Sequence, residues 1–144
     1  MKNGTQLKLI AVIDSLRMML YEAQGIKITG KPEEILLMSE EHHHHREKSQ
    51  SYYQNKSNPG SLFEPRTSLK DIEHKEAARS VAKNLDKIMQ IPHKYKELII
   101  VAEPQMLGCV RHELNNNLKK MITKEVAKDL VNHNAEAIER VVFS

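Results

Sequence analysis

Five consecutive apolar residues, Leu98-Ile99-Ile100-Val101-Ala102, constrain this chain more than any other feature. A strand with one solvated face alternates apolar and polar residues, whereas an unbroken apolar run belongs to a central strand covered on both faces. Glu103-Pro104 follows at once, and proline suits the first turn of a helix. The run therefore predicts an α/β fold, a sheet with helices packed on it.

Leu7 to Ile13 is a second short apolar run, closed by the turn residues Asp14-Ser15, and it predicts another buried strand. The next segment is ambiguous. Leu16, Met18 and Leu20 alternate as in a strand, while Leu16, Met19 and Leu20 suit one face of a helix. The short turn before the segment and Gly25 after it favour a hairpin, so a strand is expected to about Ala23. Ile26 to Thr29 continues the hairpin, Gly30-Lys31-Pro32 breaks it, and Ile35 to Met38 reads as one more short strand.

Helical periodicity begins after Glu64-Pro65-Arg66-Thr67-Ser68, where Thr67 or Ser68 supplies a cap. Ala78, Val81, Ala82, Leu85, Ile88 and Met89 follow the helical spacing, and Pro92 ends the element. After the central strand, Leu107, Val110, Leu114, Leu118 and Met121 form the stripe of one further helix. A short strand near Ile122 to Val126 follows. Asn132 or Asn134 then caps a last helix with Ile138, Val141 and Val142 inward. The alternation implies a mixed β-sheet with helices packed on it. With 144 residues, the chain 1–144 fits one domain.

Ser39 to Phe63 has little to bury. It holds His42 to His45, a charged run and a Ser/Tyr/Gln/Asn-rich stretch closing at Asn58-Pro59-Gly60, so 39–63 is expected to be a surface loop. The two Phe, four Tyr and absent Trp make the core aliphatic. One cysteine, Cys109, rules out an intramolecular disulfide and fits a reducing compartment. No apolar stretch is long enough for a transmembrane helix. A cytoplasmic protein without membrane contact is expected.

Functional chemistry is sparse. The sequence has no phosphate loop of the GxxxxGK[ST] kind, no GxGxxG and no GxSxG. Asp14, Glu103 and Asp129 fall at strand ends, where α/β sheets place their sites. Asp14 and Asp129 are candidates for a shared magnesium ion, with His112 or His133 assisting, although turn formation explains each carboxylate more simply. Among the four histidines, His42 and His44 are weak metal candidates. Adjacent side chains alternate faces in extended chain, so a defined site needs further ligands, and a solvated or tag-like tract is the simpler reading. Cys109 has His112 three residues on, yet a lone cysteine is most often a small core residue. The net charge of +3 permits nucleic-acid contact without requiring it. Arg66, Arg111 and Lys128 each adjoin a turn or helix end and are candidates for phosphate contact, with Lys119, Lys120 and Lys124 nearby in sequence.

From Glu64 onward the chain resembles the host attachment protein family of bacteria. The likeness lies in Glu64-Pro65-Arg66-Thr67, Glu76-Ala77-Ala78 through Leu85, Leu98 to Pro104, Leu107-Gly108 with Arg111, and Lys128-Asp129-Leu130. Val12-Ile13-Asp14 through Leu20-Tyr21 resembles the family's opening hairpin more weakly. The resemblance implies a fold similar to the middle domain of release factors and pelota, of ribonuclease-H-like type, and points to the ribosome or structured RNA as partner. The chain lacks the Gly-Gly-Gln that triggers peptide release, and Val131 stands where family members often have threonine.

The expectation is a non-enzymatic binding module without a cofactor, contacting ribosome or RNA through Arg66, Arg111 and Lys128. Two alternatives remain: a metal-dependent nucleic-acid hydrolase, and a host-attachment or protein-interaction factor. For the latter, the apolar Val141-Val142-Phe143 offers a homodimer surface.

Overall fold

A computed structural model describes residues 7–37 and 69–144. In chain order the elements are β1 (Leu7–Ile13), β2 (Arg17–Gln24), β3 (Lys27–Leu36), α1 (Leu69–Met89), β4 (Tyr95–Ala102), α2 (Pro104–Glu113), α3 (Asn116–Met121), β5 (Ile122–Ala127) and α4 (Ala135–Val142). The strands form one mixed sheet in the order β3-β2-β1-β4-β5. β1 runs antiparallel to β2 and parallel to β4, and β4 runs parallel to β5. The α/β class read from the apolar runs is the observed one.

The two apolar runs lie side by side, with Leu9 to Ile13 in register with Leu98 to Ala102. Alternation then divides their side chains between two cores. Leu9, Ala11, Ile13, Leu98, Ile100 and Ala102 face α1, α2 and α3. Ile10, Val12, Ile99 and Val101 face α4, where Ile138 and Val142 close the second core. α1 meets the first core through Ala77, Ala78, Val81 and Leu85, so the helical stripe read from its sequence is its buried face.

The structure differs from the sequence expectation at two places. The break expected at Gly30-Lys31-Pro32 is a bulge inside one continuous strand. Leu20 pairs with Glu33 and Glu22 with Thr29, which sets three β3 residues opposite Tyr21 alone. Gly30 adopts φ +73°, a conformation that glycine takes without strain. β3 is an edge strand, where proline is tolerated because one row of N–H groups faces away from the ladder. Leu37 follows the strand, and Met38 lies outside the described residues, as do the capping candidates Thr67 and Ser68.

The second difference splits the helix expected through Met121. Leu114 and Asn115 are extended, with ψ 142° and 172°. The Asn115 carboxamide oxygen accepts from Leu118 N at 2.8 Å, opening α3 as a separate helix. Asparagine competes for local backbone groups and favours caps over helix interiors. Leu114 and Leu118 nonetheless stay buried, because the break preserves the stripe. At the last helix Asn134 is the cap, accepting from Ala137 N at 2.8 Å.

Leu85 is fully buried between α1 and the sheet. Leu85→Ala is expected to lower stability by about 2–5 kcal/mol, measured by urea unfolding, with its size set by how far α1 collapses onto the sheet.

Candidate functional site

β1, β4 and β5 point their carboxyl ends the same way, and the segments that follow bring Asp14, Glu103 and Asp129 to one end of the sheet. Each carboxylate receives backbone N–H groups of its own turn. Asp14 Oδ1 accepts from Leu16 N and Arg17 N, both at 2.8 Å. Glu103 Oε1 accepts from Met106 N at 2.6 Å and caps α2. Asp129 Oδ1 accepts from Val131 N at 3.5 Å. β4 separates the strands that carry Asp14 and Asp129. Among the described residues, no three His, Cys, Asp or Glu side chains are grouped to hold a metal ion. His42 and His44 lie outside the described residues.

Arg17 belongs to this end and was not singled out by spacing or motif. Its guanidinium donates to Glu34 Oε2 at 3.1 Å and to Asn132 Oδ1 at 2.7 Å. It thereby ties β2, the edge strand β3 and the loop after β5 together. Asn132, one of the two residues read as a helix cap, serves as Arg17's acceptor instead. No local pattern could reveal a link between residues 115 positions apart.

The three basic candidates fare differently. Arg66 lies outside the described residues. Arg111 is exposed on α2 and its guanidinium is held by the Glu125 carboxylate of β5. Hydrogen bonding and charge from Glu125 push the Arg111 pKa above its ordinary value. Lys128 follows β5 directly, is exposed, and forms no ion pair among the described residues. Arg111 and Lys128 thus border the same edge strand. Lys119 and Lys120, at the close of α3, precede that strand and sit at its opposite end. Lys124 donates to the Val142 carbonyl at the end of α4.

Cys109 is half-buried and packs against the core beneath α2. It borders a cavity of about 410 Å³ with Lys75, Arg79 and His112. A neighbouring cavity of about 620 Å³ shares Arg79 and Glu113 and reaches Leu37. The Arg79 and Glu113 side chains approach to 3.9 Å. His112 projects outward, with 85% of its side chain exposed.

His74 is the second residue that motif reading missed. It is 5% exposed, and its Nδ1 is buried without a hydrogen-bond partner among the described residues. It precedes Ala77 and Ala78 by three and four positions, so the α1 stripe followed backwards would have placed it inside.

A five-stranded mixed sheet with helices on both faces and capping carboxylates at its parallel strand ends defines an α/β protein of layered architecture. This chain belongs to the family described as "Protein required for attachment to host cells", whose sequence profile matches residues 9–142. It is 71% identical over 140 residues to an uncharacterised protein of Rickettsia prowazekii, a match covering 96% of this chain and 93% of the relative. Among the described residues no helix is long and apolar enough to cross a membrane.

Two substitutions separate structural from chemical roles here. Asp14→Asn keeps the acceptor oxygen and should stay within about 0.5 kcal/mol of the parent, while Asp14→Ala should cost about 1–2 kcal/mol in urea unfolding. His74→Leu removes a buried polar atom that has no partner among the described residues and should raise stability by about 1 kcal/mol. A loss of similar size would show that His74 has a partner in solution.

Proposed function

We propose that this protein is a non-enzymatic cytoplasmic binding module, a single domain over 1–144, that contacts the ribosome or structured RNA through basic side chains. The observation that carries the proposal is the placement of Arg111 and Lys128 along one edge strand. Arg111 is oriented there by Glu125, and Lys128 extends from the strand end with no competing partner among the described residues. A planar guanidinium and a mobile ammonium on one exposed edge suit contacts to a phosphate backbone. Arg66 joins them as a third anchor in this reading. The carboxylates at the strand ends are held as turn and helix caps, a use that supports binding over metal-assisted hydrolysis. The layering of helices on both faces of a mixed sheet supports the release-factor-like, ribonuclease-H-like relationship.

The family's description favours a second reading, a protein-interaction factor in attachment to a host. Surface exposure in fractionated intact cells would support that reading and count against a cytoplasmic binding module.

Sedimentation of native lysate through a sucrose gradient tests the first reading. The protein is expected to travel with ribosomal particles at low salt and to leave them at high salt, because counterion release makes phosphate contacts strongly salt-dependent. Arg111→Ala with Lys128→Ala should shift it toward the top of the low-salt gradient. Sedimentation at the top under both conditions rejects the ribosome reading.

A further inference from the structure

The amino ends of the parallel strands gather five lysines, of which Lys94 alone forms an ion pair among the described residues. Lys87 lies in the last turn of α1, and Lys119 and Lys120 lie in the last turn of α3. Lys94 and Lys96 flank Tyr95, where β4 begins. The fold gathers these positions. Asn115, the N-cap of the six-residue α3, donates to Asp86 Oδ1 at 3.1 Å and draws the end of α1 to the start of that short helix. Leu98 is in register with Ile122, which sets Lys96 and the Lys119-Lys120 pair just below the same two paired strands. Leu7 N donates to Lys94 O at 3.1 Å, fixing that turn beside β1.

Nearby carboxylates are already engaged. Glu22 accepts the Tyr95 hydroxyl at 2.6 Å and lies 3.9 Å from the Lys94 ammonium. Glu97 accepts the Thr123 hydroxyl at 2.9 Å, and Asp86 accepts from Asn115. Lys87, Lys96, Lys119 and Lys120 are exposed and form no ion pair among the described residues. Lysines in a last helical turn offset the helix dipole, which explains Lys87, Lys119 and Lys120 one at a time. That reason does not extend to Lys96, a strand residue. At the opposite end Arg17 faces Glu34 and Lys128 is the cation without an ion pair among the described residues, while Arg111, in the last turn of α2, faces Glu125 midway along β5.

We infer that this amino-end surface, centred on Lys96, Lys119 and Lys120, is a contact surface for the phosphate backbone of structured RNA, a second surface distinct from Arg111 and Lys128. The inference rests on the RNA reading of the proposed function and extends it. Lysine meets phosphate as a point charge, without base readout. Tyr95 is half-buried with its hydroxyl tied to Glu22, and Phe143, which closes α4, is half-buried with the Lys8 ammonium 5.3 Å from its ring centre, so neither offers an open stacking platform for unpaired bases. A helical RNA recognised by shape and backbone therefore fits better than a single strand. Ile91 is the one large apolar side chain exposed beside these lysines among the described residues, too little for insertion into a lipid surface.

The test uses the full chain, a fluorescent RNA hairpin and anisotropy titrations at several salt concentrations. The Lys96→Gln, Lys119→Gln, Lys120→Gln triple variant should bind about 10- to 100-fold more weakly at ~0.1 M salt, with the slope of log affinity against log salt reduced by about 2. Its circular dichroism should match the parent's. Wild-type affinity and slope in the triple variant overturn this surface. If Arg111→Ala with Lys128→Ala weakens binding in that same case, the RNA reading itself survives. A parent that leaves the hairpin free rejects both. A parent that instead pellets with phosphatidylserine vesicles through these lysines assigns the surface to membranes and overturns the RNA partner.

Discussion

Burial of β1 and β4 on both faces is the constraint on which the rest of the structure depends. A strand covered on one side could have been solvated by the other, but Ile10, Val12, Ile99 and Val101 are as deeply buried as Leu9, Ile13, Leu98 and Ile100. Two helical layers are therefore required. Three helices cover one face, and the short α4 covers the other with help from Leu130 and Val131. α4 is also anchored by polar contacts. Glu139 accepts from the β3 backbone at Ile28 N at 2.8 Å, and Lys124 donates to the carbonyl of Val142. A short helix contributes little stability of its own, so these tertiary contacts hold the second layer in place.

The fold was legible wherever one face or both faces were continuously apolar. Leu98 to Ala102, Leu7 to Ile13 and the α1 stripe need only local periodicity, and each formed the element its pattern predicts. Periodicity was less informative where a special backbone conformation intervened. Gly30 allows β3 to absorb two extra residues without ending, and Asn115 divides one apolar stripe between two helices. Both outcomes depend on which of two permitted conformations the surrounding packing selects. That choice is tertiary information.

The candidate site was less legible, for a physical reason. Asp14, Glu103 and Asp129 stand at strand ends in the sequence and in the fold, yet position alone does not separate a ligand from a cap. In the fold Leu16 N and Arg17 N donate to Asp14 and Met106 N donates to Glu103, so each of these two carboxylates serves its own turn or helix start. Arg111 reads as a free cation until Glu125 is folded beside it. Arg17 is an unremarkable strand residue until its Asn132 and Glu34 partners arrive. Such roles belong to pairs of residues distant in sequence, whereas a motif names one residue at a time.

The distribution of charge between the two sheet ends follows partly from helix direction. α2 and α4 start beyond the carboxyl ends of β4 and β5, and α1 and α3 finish where β4 and β5 begin. Acidic caps such as Glu103 suit the starts, and lysines such as Lys87, Lys119 and Lys120 suit the finishes. A charge placed for helix stability still adds to the field around the molecule. Parallel stacking of strands and helices thus sets basic helix ends side by side at one end of the sheet. Lys96, on a strand between them, joins a potential that the helices already created. A polyanion approaching this fold meets that combined field, whatever requirement first placed each lysine, and the layered architecture itself gives the surface its polarity.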